Sequence, residues 1–93
     1  MRFAVQDYNN IFDLNEIMSR IRDDNGCMLW KGSYIQEGKD KIAVFPISYD
    51  GQLISCRVLD IISAILFERF VTLKNRKCRC KICINPAHYI YIL

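Results

Sequence analysis

The 93-residue sequence lacks the features that mark membrane, secreted and low-complexity proteins. Its longest apolar stretch, residues 61–67, is interrupted by Ser63 and is far shorter than the roughly 20 residues that span a bilayer. The first residues contain no apolar segment of the kind found in signal peptides, and no internal repeat or linker divides the chain. These absences predict a single intracellular domain over residues 1–93 that does not contact a membrane.

Acidic residues are absent from the last part of the chain. Residues 72–93 carry five basic side chains and no acidic one, whereas residues 1–24 carry three basic and five acidic side chains. Residues 25–71 carry five of each. A local basic cluster suits a polyanion such as nucleic acid. The same cations also suit a zinc ion bound by three thiolates, because such a site has a net charge of about −1.

Cysteine, by contrast, is abundant, with five residues in the chain and three of them within residues 78–83. In a reducing compartment, clustered cysteine and histidine indicate a metal site rather than disulfides. Cys78, Cys83 and His88 follow the pattern Cys-x4-Cys-x4-His, and such spacing allows one loop to wrap a tetrahedral zinc ion. The sequence therefore predicts one structural Zn²⁺ ion with three of its ligands in this loop.

The other cysteines leave the ligand set open at this point. Cys80 lies three positions before Cys83 and competes with Cys78 as its partner. The fourth ligand comes either from the remaining loop cysteine or from a distant part of the chain. Cys27 follows a glycine at a predicted strand and is a suitable approach point, whereas Cys56 lies where a strand meets a helix and suits burial.

Hydrophobic periodicity predicts an α+β fold, namely a small zinc-stabilised domain with a short antiparallel sheet, an N-terminal helix and a central apolar helix. Asp13 and Glu16 have the spacing of a capping box, which predicts an amphipathic helix over about 14–22. The domain is expected to comprise an N-terminal helical segment (1–25), a β-hairpin region (26–57), a helix (58–71), and a zinc loop with a terminal strand (72–93).

Three strands are expected in the β-hairpin region: residues 27–30, 41–49 and 52–57, with a tight turn at Asp50-Gly51 between the last two. Pro46 within the second strand predicts an edge position or a bulge. Residues 33–40 are expected to form a loop. The helix over 58–71 has apolar side chains on more than one face, so it is either central or in contact with another subunit.

Several motifs occur in an order that is found in a known family. The final motif, the most specific, is Cys83-Ile84-Asn85-Pro86-Ala87-His88; the others are Gly26-Cys27-Met28-Leu29-Trp30-Lys31-Gly32-Ser33, the hairpin through Asp50-Gly51, and the helix after Arg57. Together, residues 26–89 resemble the zinc-containing HNH, or His–Me finger, endonucleases common in bacteriophages, and more distantly the His–Cys box homing endonucleases. The resemblance implies a truncated ββα-metal fold. It also implies four zinc ligands: Cys27, Cys78, Cys83 and His88.

The chain departs from this family at the positions that carry catalysis. Family nucleases place a general-base histidine two residues before the first cysteine of the Cys-x4-Cys pair, and Arg76 occupies that position here. Arginine stays protonated near neutral pH and cannot activate a water. The family's metal-binding helix would start where this chain stops, and His88, the single histidine, is assigned to zinc. We therefore expect no enzyme but a catalytically degenerate scaffold.

Two functions suit such a scaffold better than an active endonuclease. The first is a phage or mobile-element regulatory protein that binds nucleic acid, with DNA favoured, through eight basic residues: Lys31, Lys39, Lys41, Arg57, Arg76, Lys77, Arg79 and Lys81. The alternative is a regulator or inhibitor that docks on a host protein through its apolar helix and its C-terminal tail. The same apolar segments also suit a homodimer.

Overall fold

The computed structural model describes residues 3–80 and 82–91, and it has the small α+β fold that the periodicity predicts. No helix in this described part of the chain is long and apolar enough to cross a membrane. The elements, in chain order, are α1 (Tyr8–Ile11), α2 (Leu14–Ser19), β1 (Ile21–Asp24), β2 (Cys27–Trp30), β3 (Tyr34–Glu37), β4 (Asp40–Tyr49), β5 (Gln52–Arg57), α3 (Val58–Phe67), β6 (Val71–Arg76) and β7 (Tyr89–Tyr91).

The strands pair into three antiparallel sheets, with the order β1-β2, β3-β4-β5 and β6-β7. Every pairing joins strands that are close in sequence except the last, because β6 and β7 flank the cysteine-rich loop. Two short 3-10 helices, Val5–Asp7 and Pro86–His88, complete the fold. The expected single short sheet is therefore divided into three small ones.

The N-terminal helix is shorter than predicted. Asp13 caps α2 as the sequence pattern indicates, since its carboxylate accepts a hydrogen bond from the backbone N–H of Asn15 at 3.0 Å. The prediction of a helix over 14–22 is wrong at its C-terminal end, because α2 stops at Ser19 and β1 begins at Ile21. Ile21 and Arg22, the last two residues of the predicted helix, thus belong to the four-residue strand β1.

An Asn-Gly turn explains this early end of the helix. Asn25 and Gly26 both have positive φ angles, 52° and 86°, which is the backbone of a tight two-residue hairpin turn. The turn pairs β1 with β2, so that Ile21 lies opposite Trp30 and Asp24 lies opposite Cys27. The hairpin brings Cys27 to the start of β2, directly after the turn.

The three-stranded sheet confirms the Asp50-Gly51 hairpin and corrects the loop predicted over 33–40. Asp50 and Gly51 have φ angles of 53° and 75°, and they join β4 to β5. β3 occupies most of the predicted loop because Gly38, with φ 63°, turns the chain back within two residues. Pro46 lies where β4 pairs with β5 beyond the reach of β3, in agreement with the predicted edge position.

The apolar helix α3 lies in the centre of the fold, which is the first of the two alternatives that its sequence left open. Its first seven residues, 58–64, are all buried. The prediction that the helix extends to residue 71 is wrong, because Glu68 adopts the left-handed conformation with φ 56° and ends it. Val71 instead begins β6, which the sequence analysis did not predict.

The main hydrophobic core surrounds α3 and collects aromatic residues from the N-terminal segment and the hairpins. Its most buried members are Tyr8, Ile17, Cys56, Val58, Ile61 and Ile62. Trp30 joins this core with 4% of its surface exposed, and its indole N–H donates to the carbonyl of Val44 at 3.2 Å. Gly32 lies against the indole ring, because a Cβ there would approach the Trp30 ring to 2.6 Å. The Trp-x-Gly pattern therefore has a packing reason.

Candidate metal centre

Four potential ligands meet at one end of the molecule. The thiol sulfurs of Cys27, Cys78 and Cys83 and a ring nitrogen of His88 all lie within 4.8 Å of one another. Cys27 comes from the β1-β2 hairpin, and the other three come from the segment between β6 and β7. These are the four residues that the family resemblance implies, and the cluster could hold a metal ion.

The separations between the ligand atoms agree with a tetrahedral site. The Nδ1 atom of His88 lies 3.5 Å from the sulfur of Cys83 and 3.7 Å from the sulfur of Cys27. In a tetrahedron with Zn–S bonds of about 2.3 Å and Zn–N bonds of about 2.0–2.1 Å, sulfur and nitrogen are separated by about 3.6 Å. The arrangement is therefore consistent with zinc, and Nδ1 is the histidine atom that faces the two sulfurs.

The backbone holds the two halves of this cluster together. The N–H of Ile84 donates to the carbonyl of Met28 at 2.8 Å, which ties the zinc loop to β2. The N–H of Lys77 donates to the carbonyl of His88 at 2.5 Å, which closes the loop at its base. Cys78 and Cys83 are thereby presented from the same loop toward Cys27.

Asn85 connects the same halves through its side chain. Its amide nitrogen donates to the carbonyl of Gly26 at 2.8 Å, next to Cys27 in the chain. Its amide oxygen accepts from the N–H of Ala87 at 3.0 Å and so caps the 3-10 helix that carries His88. This role of Asn85 was not among the predictions from the sequence, although an asparagine directly before a Pro-x-His helix start is a recognisable capping pattern.

Cys80 and Cys56 lie outside the cluster. Among the described residues, the metal-ligand group contains Cys78 and not Cys80, which the sequence had left as an alternate ligand. Cys80 contributes its backbone instead, since its carbonyl accepts from the N–H of Cys83 at 3.4 Å. Cys56 is buried in the main core with 2% of its surface exposed, as its position at a strand–helix junction suggested.

Without a cation, the crowded environment of Cys27 favours its protonated thiol. Burial, followed by the neighbouring thiols of Cys83 and Cys78, raises the pKa of the Cys27 thiol to about 12. Thiolates this close to one another repel, whereas a bound divalent cation favours the thiolate form and releases the protons. Burial also raises the pKa of Tyr89 to about 12, so its hydroxyl stays protonated and donates to the carbonyl of Cys83 at 2.5 Å.

The basic residues proposed as nucleic-acid contacts divide into two sets. Lys31, Lys39, Lys41, Lys77 and Arg79 are exposed, Arg57 and Arg76 are partly buried, and Lys81 lies outside the described residues. Arg57 is already engaged, because its guanidinium donates to both carboxylate oxygens of Glu37 at 3.0 and 2.8 Å. The fold brings Lys41, Arg57 and Arg76 together around one cavity, although they are far apart in sequence.

Comparisons with known proteins add no identification: no family model, no curated protein and no solved structure matches the chain. The HNH interpretation therefore stays a prediction from the sequence motifs.

Proposed function

We propose that the chain is a small zinc-binding module on a catalytically degenerate HNH-type scaffold, and that it binds nucleic acid. The observation that carries the zinc assignment is the set of separations of 3.5 and 3.7 Å between Nδ1 of His88 and two thiol sulfurs. Three thiolates and one imidazole form a closed ligand set, with no position left open for a substrate or a catalytic water. The ion is therefore proposed to be structural.

Loss of the nuclease reaction is supported by the residue at the general-base position. Arg76 has its Nε–H bonded to the carbonyl of Cys78 at 2.9 Å, beside the zinc loop. A guanidinium donates hydrogen bonds to anions and cannot accept a proton from water. Hydrolysis of a phosphodiester requires a base and a cation that stabilises the leaving oxygen. The proposed module accordingly holds phosphates without cleaving them.

Nucleic-acid binding is supported by exposed cations beside the proposed zinc ion. Lys77 and Arg79 are exposed and flank Cys78, so a bound strand could contact them without rearrangement of the loop. Such contacts neutralise phosphates and release counterions, which makes the affinity fall with salt. We propose DNA as the favoured partner and a phage or mobile-element regulatory role, both of which depend on the family resemblance.

The test is fluorescence anisotropy of labelled duplex DNA and single-stranded RNA with the zinc-loaded chain over a series of salt concentrations. Replacing Lys77 and Arg79 by Gln is expected to weaken binding and to reduce the slope of log affinity against log salt by about 0.9 for each lost phosphate contact. Arg22→Gln is a matched control, because Arg22 is exposed on β1, outside the predicted contacts. Salt-independent binding, or equal losses with the control, would contradict the proposal.

Docking on a host protein is the second candidate, but the exposed apolar side chains that support it are not those of the whole helix that the sequence suggested. The first seven residues of α3 are buried in the chain's own core, so the helix offers only its end, where Leu66 and Phe67 are 48% and 41% exposed. Leu53 on β5 is 81% exposed, and Tyr49, the last residue of β4 before the Asp50-Gly51 turn, is 42% exposed. Leu53→Ser should abolish a salt-insensitive association if this surface docks a protein, and it should leave nucleic-acid binding unchanged.

A further inference from the structure

A cavity of about 300 Å³ lies between the three-stranded sheet, the first turn of α3 and the zinc loop. Three cationic side chains line it: Lys41 from β4, Arg57 from the end of β5, and Arg76 from the end of β6. Its apolar wall includes Leu59, and Cys83 of the metal cluster also borders it. The fold thus collects three cations from distant segments around one concave site.

Two of these cations have no carboxylate partner. Arg57 is neutralised by Glu37, whereas within residues 3–80 and 82–91 neither Lys41 nor Arg76 forms an ion pair. Arg76 uses its Nε–H on the carbonyl of Cys78, which orients the guanidinium, and its side chain also hydrogen-bonds the Tyr89 hydroxyl. Neither contact is to a carboxylate, and a partly buried guanidinium without a carboxylate partner favours an approaching anion.

The acidic side chains of the cavity do not cancel this charge. Asp60 is 6% exposed and already has an interaction within the protein, so it is part of the wall. Asp40 is solvent-exposed, as Lys41 is, and water and salt screen both charges. The described lining residues carry three positive and two negative formal charges, and this excess of positive charge favours an anion such as a phosphate monoester.

The size and the walls of the cavity indicate a ligand larger than phosphate alone. About 300 Å³ lies at the lower end of the range found for small-molecule sites. Apolar side chains of Ile42, Leu59 and Ile84 border it. They can cover a sugar or a base while the cations hold the phosphate. A concave site of this size suits one nucleotide rather than the continuous backbone of a duplex.

We propose that this cavity binds the phosphate monoester of a single nucleotide, either free or at the end of a nucleic-acid strand. The inference deepens the proposed nucleic-acid binding and rests on it for the strand-end source. Arg76 and Lys41 bind the phosphate oxygens, and Arg57 borders the same site while it is held by Glu37. A guanidinium suits this task because its planar set of N–H donors matches phosphate oxygens.

The first experiment measures binding of adenosine 5′-monophosphate, inorganic phosphate and adenosine to the zinc-loaded chain by isothermal titration calorimetry. We expect the monophosphate to bind at least tenfold more tightly than adenosine, and phosphate to bind more weakly than the monophosphate. Lys41→Gln is expected to weaken the monophosphate at least fivefold. Arg22→Gln is the control, because Arg22 is exposed on β1, does not line the cavity and is not among the predicted nucleic-acid contacts. Equal binding of adenosine, or equal losses in both variants, would overturn the proposal.

The Arg76→Gln variant distinguishes two roles for Arg76, namely binding a phosphate ligand and offsetting the charge of the zinc thiolates. The proposal expects the variant to keep one equivalent of zinc and to lose monophosphate binding at least tenfold. A variant that binds the monophosphate normally but has weakened zinc would show that Arg76 only offsets the charge of the metal site, and would overturn the proposal.

The two sources of the phosphate are distinguished with a single-stranded 12-mer carrying either a 5′-phosphate or a 5′-hydroxyl. A tenfold preference for the phosphorylated oligonucleotide assigns the cavity to a strand end, and tighter binding of the free monophosphate assigns it to a nucleotide. If the 5′-hydroxyl strand binds with salt dependence while no phosphate monoester binds, the cavity proposal fails and the nucleic-acid proposal stands. If no strand binds but the monophosphate does, the nucleic-acid proposal fails instead and the site takes a free nucleotide.

Discussion

Two regions of this small molecule, the core around α3 and the loop between β6 and β7, differ in what stabilises them. Around α3, aromatic and aliphatic side chains such as Tyr8, Ile61 and Ile62 are almost completely buried, and that half resembles an ordinary hydrophobic core. The segment between β6 and β7 contributes few buried apolar side chains, among them Ile84, which joins the main core. Three of the four clustered ligand side chains lie in this segment, and backbone hydrogen bonds tie it to β2 and close it at its base.

The difference indicates where a metal ion would contribute most to the stability of this domain. Burial of apolar surface contributes roughly 25 cal/mol per Å², so a loop with few apolar residues gains little from it. A structural zinc ion supplies binding free energy that is available only when its ligands are gathered, and this energy then contributes to folding. The comparison predicts that substitutions in the core lower stability and leave the zinc content unchanged, whereas substitutions of the ligands lower both.

The largest effect is expected from loss of a ligand. Cys83→Ser removes a buried thiol from the centre of the cluster, and apparent zinc affinities in such sites are on the order of 10 kcal/mol. The variant is expected to lose its zinc and to unfold at least the segment from β6 to β7, as measured by metal analysis and thermal melting. Removal of zinc from the unmodified chain by a chelator should act similarly. Unchanged melting in both cases would refute a structural metal.

The second-largest effect is expected when a side chain is truncated in the hydrophobic core around α3. Ile62→Ala creates a cavity at a position with 0% exposure, and such changes cost about 2–5 kcal/mol. The zinc content should nevertheless stay at one ion per folded chain, because Ile62 is not one of the four clustered ligands. Chemical denaturation measures the loss. Leu66→Ala is the control, since Leu66 lies on the same helix and is 48% exposed; an equal loss there would contradict the assignment of the core.

The link between the halves can be weakened without removing a ligand. Asn85→Ala deletes the hydrogen bonds to Gly26 and Ala87, and we expect a loss of about 1–3 kcal/mol in stability. Zinc affinity should fall by about 10- to 100-fold, as when partners that orient metal ligands are removed. Asn85→Asp keeps the acceptor for Ala87 and loses the donor to Gly26, so its effect should be intermediate. Competition with a zinc chelator measures the affinity, and an unchanged value would show that Asn85 is not needed.

The smallest effect is expected at the two cysteines outside the cluster. Burial raises the pKa of the Cys56 thiol above its ordinary value of 9.0, so the folded state favours the protonated thiol. The contribution of this thiol to folding stability is therefore fully present below that value and is lost only as the pH rises past it. At pH 8 a thiol reagent should therefore modify Cys80 rapidly and Cys56 slowly in the zinc-loaded chain. Cys80→Ser should keep zinc and stability while removing the fast reaction. Loss of zinc in this variant would instead identify Cys80 as a ligand.

Several parts of the structure could be predicted because they depend on local sequence. The Asp50-Gly51 turn, the start of α3 at Val58 and the cap at Asp13 follow from short-range preferences of the backbone. Errors arose where local patterns compete. The Asn25-Gly26 turn follows directly on a stretch whose periodicity predicts a longer helix, and Val71, the last residue of the helix predicted over 58–71, instead begins β6.

The amino-acid sequence by itself determined the kind of ligands in the candidate metal centre: the loop cysteines and His88 have the type and spacing that a tetrahedral zinc ion requires, with Cys78 and Cys80 as competing partners of Cys83. Only the tertiary structure decided that Cys27 lies beside them and that Cys80 does not, because long-range pairing of β1-β2 and β6-β7 sets those distances. The cavity with Lys41 and Arg76 likewise depends on the packing of segments far apart in the chain. Spacing encodes local contacts, whereas contacts across a fold exist only once the elements have packed.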